Sequence, residues 1–195
     1  MKRLLAYLLL VLSFTFIFNV KADDIRDFEI EGMSIGDSAL NYFSKSKLKD
    51  LRSKNYTKNK KYKKYCNPLK DSPYTEICFY TTDDQKFKIV SIAGFILYPN
   101  NIKACYKKQK EIDKELQALF KNSKREVFNY KHAGDKTGKT KERDIIYLLN
   151  SKDEAGTACI DYGKKYAKKI GAENHLQVFV DAYEYADFLK NEAWQ

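Results

Sequence analysis

Few side chains here have the chemistry to hold a metal, a cofactor or a reacting atom, and their spacing restricts each of them. The four cysteines are Cys66, Cys78, Cys105 and Cys159, and the only histidines are His132 and His175. No C-x2-C or H-x3-H spacing occurs among them, so no zinc site is predicted. Four cysteines allow three pairings. Cys66 and Cys78 bracket a turn-rich stretch with Pro68 and Pro73, which a local bridge would close at a gain of about 3 kcal/mol. Cys105 then pairs with Cys159. The competing reading leaves one or both pairs as buried thiols. With the cysteines oxidised, a Cys/His nucleophile has no thiolate to use.

Other catalytic patterns are weak. There is no G-x-S-x-G elbow for a serine hydrolase. The adjacent acids Asp83-Asp84 and Asp153-Glu154 fall in predicted turns, where carboxylates are ordinary residues. A glycosidase-type pair brought together by folding is invisible at this level. The run from Ala133 to Thr140 approaches the phosphate-loop pattern G-x4-G-K-[ST], but its first glycine, Gly134, is one position late. The residues before it, Val127 to His132, end too polar for the buried strand that such a loop follows. A surface turn is the better reading, and no nucleotide and no other cofactor is predicted.

Charge is the most localised feature. The chain carries a formal +10, and residues 45–64 hold ten cations against Asp50 alone. Lys58, Lys60, Lys61, Lys63 and Lys64, with Tyr62 among them, are the candidate contacts for an anionic lipid or envelope polymer. The bland alternative is a solvated basic linker over residues 45–65. Arginine, the usual reader of bases, is scarce, so nucleic acid is not predicted as a partner.

The first 22 residues explain where such a protein works. Lys2 and Arg3 precede an uncharged run from Leu4 to Phe18, and Val20-Lys21-Ala22 presents small residues at the positions that a signal peptidase reads. Fifteen helical residues span about 22 Å, short of the roughly 30 Å of a bilayer core. A cleavable signal followed by a periplasmic or secreted domain is therefore expected, in a compartment where disulfides persist. No transmembrane segment is expected after it.

The elements that must position these residues follow from hydrophobic periodicity. With 44% hydrophobic and 14% aromatic residues, residues 23–195 form a single domain with a real core. Short helices are predicted at Ala39–Phe43 and Lys47–Arg52, after a brief strand at Phe28–Ile30. Strands are predicted at Thr75–Tyr80 and Phe87–Tyr98, the second apolar on both faces. Asn101 caps a long helix from Ile102 to about Lys121, whose inward stripe holds Ile102, Cys105, Gln109, Ile112, Leu116 and Leu119. Residues 130–141 read as a loop. A second hairpin is expected at Asp144–Leu149 and Thr157–Tyr162, then a strand at His175–Val180. Asp181 and Glu184 have capping-box spacing for a C-terminal helix. The result is an α+β fold: an antiparallel sheet of about five strands on a long central helix and a C-terminal helix, with a short two-helix N-terminal region.

Three stretches, Ile25 to Ser38, Cys105 to Ile112 and Asp135 to Gly138, resemble small exported proteins of Pelagibacter-like marine alphaproteobacteria. That resemblance implies a secreted or periplasmic protein and supplies no activity. The Gly32-Met33-Ser34 opening with its two helices is similar, over a few residues, to outer-membrane assembly factors and β-lactamase-inhibitor-like folds. The function expected is non-catalytic binding of an envelope component or protein partner. A hydrolase with an unrecognised carboxylate site is the alternative.

Overall fold

The computed structural model describes residues 24–55 and 57–195; the predicted signal, residues 1–22, lies outside them. Seven strands form one antiparallel sheet in the order β1-β2-β3-β7-β6-β5-β4. They are β1 (Tyr62–Pro68), β2 (Glu76–Thr82), β3 (Ile89–Leu97), β4 (Lys124–Lys131), β5 (Lys141–Leu148), β6 (Glu154–Asp161) and β7 (His175–Asp181). Two three-stranded meanders, β1-β2-β3 and β4-β5-β6, meet on β7, which pairs with β3 on one side and β6 on the other.

Among the described residues, four α-helices accompany the sheet: α1 (Lys45–Leu51), α2 (Ile102–Leu119), α3 (Lys164–Ile170) and α4 (Tyr183–Asn191). The α+β class and the antiparallel sheet are those expected, but the sheet has seven strands rather than about five. Both additions are the edges. The basic segment read as a linker, 45–65, contains α1 and the first residues of β1. β4 lies just before and inside the stretch read as a loop. Edge strands keep one row of backbone groups in solvent and tolerate charge, so Lys63-Lys64 and Lys124-Arg125 mask them as polar segments. Helix α3, Lys-Lys-Tyr-Ala-Lys-Lys-Ile, buries none of its residues and so lacks the apolar stripe that reveals a helix. The expected strand at Phe28–Ile30 is a 3-10 turn, Ile25–Asp27, followed by a single bridge between Ile30 and Met33. Helix α4 begins one residue after the non-polar cap Ala182, with no side-chain cap bond, so Asp181 stays in β7.

Side chains alternate between the two faces of a strand. Across the first face, one row reads Tyr65, Phe79, Ile92, Val180, Ala155, Tyr147. All six are buried, and they carry the main core with Leu48, Leu116 and Phe120. Helix α2 lies on this face, with most of its contacts to β6 and β7. Its one buried polar residue, Gln109, is fully enclosed. Its amide donates to the carbonyls of Arg143 (2.8 Å) and Thr157 (3.2 Å) and accepts from the Arg143 guanidinium (3.0 Å). A buried amide with those partners is satisfied, which explains a glutamine inside an apolar stripe.

The disulfides are the two expected. Cys66–Cys78 links directly paired residues of β1 and β2 across 12 positions, and Cys105–Cys159 ties α2 to β6 across 54. No helix among the described residues is long and apolar enough to cross a membrane.

Candidate functional site

The lysine group does not form a free patch. Lys60 Nζ donates to the carbonyls of Asn55 and Thr57. Lys61 pairs with Glu192 at 3.0 Å and lies over the rings of Tyr62 and Phe188. Lys63 pairs with Asp83. Burial pulls the ammonium of Lys64 below its ordinary pKa, against the opposing charge of Glu76. Tyr62 is a core residue, packed edge-on against Tyr185 and Phe188. Lys58 is exposed and fastens its backbone N–H to the carbonyl of Ala193. Alternation along β1 sends Lys63 and Lys64 to opposite faces.

The near-phosphate loop is organised by its own carboxylate. Asp135 Oδ1 accepts from the backbone N–H and hydroxyl of Thr137, and Oδ2 accepts from those of Thr140, all at 2.8–2.9 Å. Desolvation works against the charge, but these four bonds prevail and hold Asp135 well below the usual carboxylate range. The N–H groups that a phosphate would need are already occupied.

The second face of the sheet gathers the groups that the sequence keeps apart. Glu142 and Asp144 are two residues apart on β5, so both project from this face, about 7 Å apart along the strand. In register, Phe128 of β4 stands opposite Asp144 and Tyr130 opposite Glu142. On the other side, Ala158 and Ile160 of β6 face Asp144 and Glu142. The Tyr130 hydroxyl donates to Asp144 Oδ2 at 2.5 Å. The other oxygen, Oδ1, is buried and has no hydrogen-bond partner, in a residue only 8% exposed.

Both carboxyls resist ionisation. Burial first, then the charge of Asp144, pushes Glu142 up to about 7, against the Tyr130 hydrogen bond. Burial raises Asp144 as well, again opposed by Tyr130. Tyr130 is itself pushed well above its ordinary range by burial and by its bond to Asp144. Two interacting acids in one low-dielectric site titrate as a pair, and this pair retains a proton close to neutral pH.

An aromatic cluster borders the acids. Tyr162 lies between the two histidines, with ring centroids 6.1 Å from His132 and 5.7 Å from His175. Tyr166 of α3 packs 5.8 Å from His132. Burial, then the charge of Glu142, lifts Tyr162 to about 12. His175 Nδ1 lies 2.9 Å from the carbonyl of Glu173, and burial depresses its pKa. A carbonyl can only accept, so in this contact Nδ1–H is the donor. The Gly134 N–H donates to His132 Nδ1. Residues 132 and 175, distant in the chain, are joined because β4 and β7 both end at this rim of the sheet.

The arrangement can bind a hydrogen-bond donor or exchange a proton; it does not resemble a metal centre. The one group of cysteine, histidine or acidic ligand atoms close enough for an ion, among the described residues, is Cys66, Glu76 and Cys78, and its sulfurs are joined in the disulfide. Sequence reasoning missed the acids because Glu142 falls between the loop read over 130–141 and the strand read from Asp144. The signal was the pattern Glu142-Arg143-Asp144-Ile145, which on a strand puts both acids on one face.

No family model, curated protein or solved structure matches the chain.

Proposed function

We propose that the protein is exported and non-catalytic, and that it binds an envelope component or a protein partner at the β4–β5 edge of the second sheet face. The observation that carries this reading is Asp144 Oδ1, a buried acceptor with no donor. Such an atom is costly in the free protein and is satisfied when a partner supplies an N–H or O–H. Export rests on the N-terminal pattern and is consistent with two disulfides. The lysines are a weaker candidate surface, since Lys61 and Lys63 are engaged by acids of the same chain.

The test is co-sedimentation of the exported chain with an insoluble bacterial envelope fraction, comparing wild type with Asp144→Asn. The amide keeps an acceptor for Tyr130 but presents a donor in place of Oδ1. Wild type is expected in the pellet and the variant in the supernatant. Equal sedimentation of the two, both folded, contradicts the site.

A second reading is favoured by one observation. Glu142, with a pKa of about 7 beside Asp144, has the protonation behaviour of a general acid–base group, and a hydrolase could use the pair. Hydrolysis of envelope polysaccharide that disappears in Glu142→Gln, with binding retained, would establish it over the binding role.

A further inference from the structure

The side chains around the orphaned oxygen define the class of molecule that fits it. Phe128 and Tyr130 are two residues apart on the outermost strand and are 42% and 44% exposed. They stand about 7 Å apart along the strand. Each ring has a carboxyl directly across from it, Phe128 with Asp144 and Tyr130 with Glu142. Ring beside carboxyl, twice in succession, offers an apolar surface with hydrogen-bonding groups along one border. A sugar presents the complement: a face of C–H groups and a rim of hydroxyls that both donate and accept.

The hydrogen bonds already made restrict the match further. The Tyr130 hydroxyl donates to Asp144 Oδ2, which leaves Oδ1 as a fixed acceptor awaiting a donor. Rings and carboxylates also hold ammonium groups. The neighbouring cations Lys131, Lys141 and Arg143 project from the opposite face of the sheet, where Arg143 bonds Gln109, so the balance is set by the acids themselves. Burial holds both carboxyls back from ionisation, which favours a neutral polyhydroxylated ligand over a cation.

We infer that Phe128, Tyr130, Glu142 and Asp144 form a saccharide subsite, in which the two rings take the C–H face of a sugar and Asp144 Oδ1 accepts one of its hydroxyls. The inference rests on the binding role proposed for this face and names its ligand class.

The experiment is a calorimetric titration of the exported chain with chitotetraose, cellotetraose and, separately, choline. At least one tetrasaccharide is expected to bind with a Kd of about 1 mM or tighter, and choline not at all. Asp144→Asn is expected to weaken that binding about tenfold, the loss of one hydrogen bond to a charged acceptor. Phe128→Ala removes a side chain already exposed, so folding is not at stake, and it is expected to weaken binding by a similar factor. The inference is overturned if neither sugar binds the folded protein at about 10 mM, if choline binds and the sugars do not, or if Phe128→Ala binds as wild type does. Envelope sedimentation that still depends on Asp144 while both sugars fail would show the ligand class to be wrong and the site right. Loss of both would remove the site.

Discussion

Asp181 of β7 stands directly opposite Glu154 of β6, carboxyl across from carboxyl on the second face of the sheet. Burial first, then the charge of Glu154, pushes Asp181 up to about 7, opposed by a hydrogen bond from Ser91. Glu154 is raised by burial and by Glu126, against the nearby Lys190. Together with Glu142 and Asp144, four carboxyls on this one face bind protons more tightly in the folded state than in the unfolded chain.

The sign of the pH dependence follows. A group whose folded pKa is raised holds its proton in the native state while the unfolded chain has released it. Its contribution is greatest below about pH 4 and is lost as pH rises toward about 7. Asp113, Asp135 and Asp24 are shifted down, and their contributions are lost as pH falls below about 4. Thermal denaturation should therefore give its highest Tm between about pH 4 and 5. Asp181→Asn should stabilise by roughly 1–3 kcal/mol at pH 8 and change little at pH 4. A stability maximum above pH 7 would contradict the burial of these acids.

The two disulfides differ in the chain they close, 12 positions for Cys66–Cys78 and 54 for Cys105–Cys159. Replacing both partners of the first with serine should cost about 3 kcal/mol, and of the second about 4 kcal/mol, read from denaturant midpoints. Intact mass with and without reductant gives the simplest check, since reduction of both bridges adds four protons.

Edge strand β4 depends on a polar anchor more than on burial, because Glu126 alone among its residues is partly buried and the rest of the strand is exposed. Arg125 makes two 2.8 Å bonds to the carboxylate of Asp113 on α2, and the Tyr147 hydroxyl adds a third at 2.6 Å. Asp113→Ala should cost about 1–3 kcal/mol by leaving the guanidinium without its carboxylate and the Tyr147 phenol with only the residue-113 backbone carbonyl. Hydrogen exchange should show the β4 amides opening first. Uniform destabilisation, with β4 no more affected than β2, would argue against this anchoring role.

Replacing Lys58, Lys60, Lys61, Lys63 and Lys64 together with glutamine tests the basic segment. Exposed ion pairs such as Lys61–Glu192 are worth about 1 kcal/mol or less, so the fold should persist. Any adsorption of wild type to anionic vesicles should be confined to low salt and weakened in the variant. If wild type does not adsorb even at low salt, the lysines have no role as an anionic-surface contact.

What the sequence made legible was whatever carried an apolar period. Helix α2 was readable from Ile102, Ile112 and Leu116, and β3 from its two buried faces. Edge strands β1 and β4 and helix α3 were not, because Lys63, Lys64, Lys124 and Lys164 stand where a buried element would show aliphatic residues. The disulfides were readable from the turn between Cys66 and Cys78, which left one partner each for Cys105 and Cys159. The candidate site was not. Its members come from β4, β5 and the rim that joins β4 to β7, and they become neighbours only through register: Tyr130 with Glu142, Phe128 with Asp144, and His132 with His175 across Tyr162. The lysines were conspicuous because they cluster in the sequence, but Lys58, Lys60 and Lys61 precede β1 and alternation along β1 sends Lys63 and Lys64 to different faces.

The most direct test of the central claim is a two-dimensional NMR titration of the protein with solubilised envelope material. Binding at the second sheet face predicts amide shift changes concentrated at residues 128–130 and 142–144, and their absence in Asp144→Asn. Changes confined to residues 58–64, or none anywhere at saturating material, would contradict it.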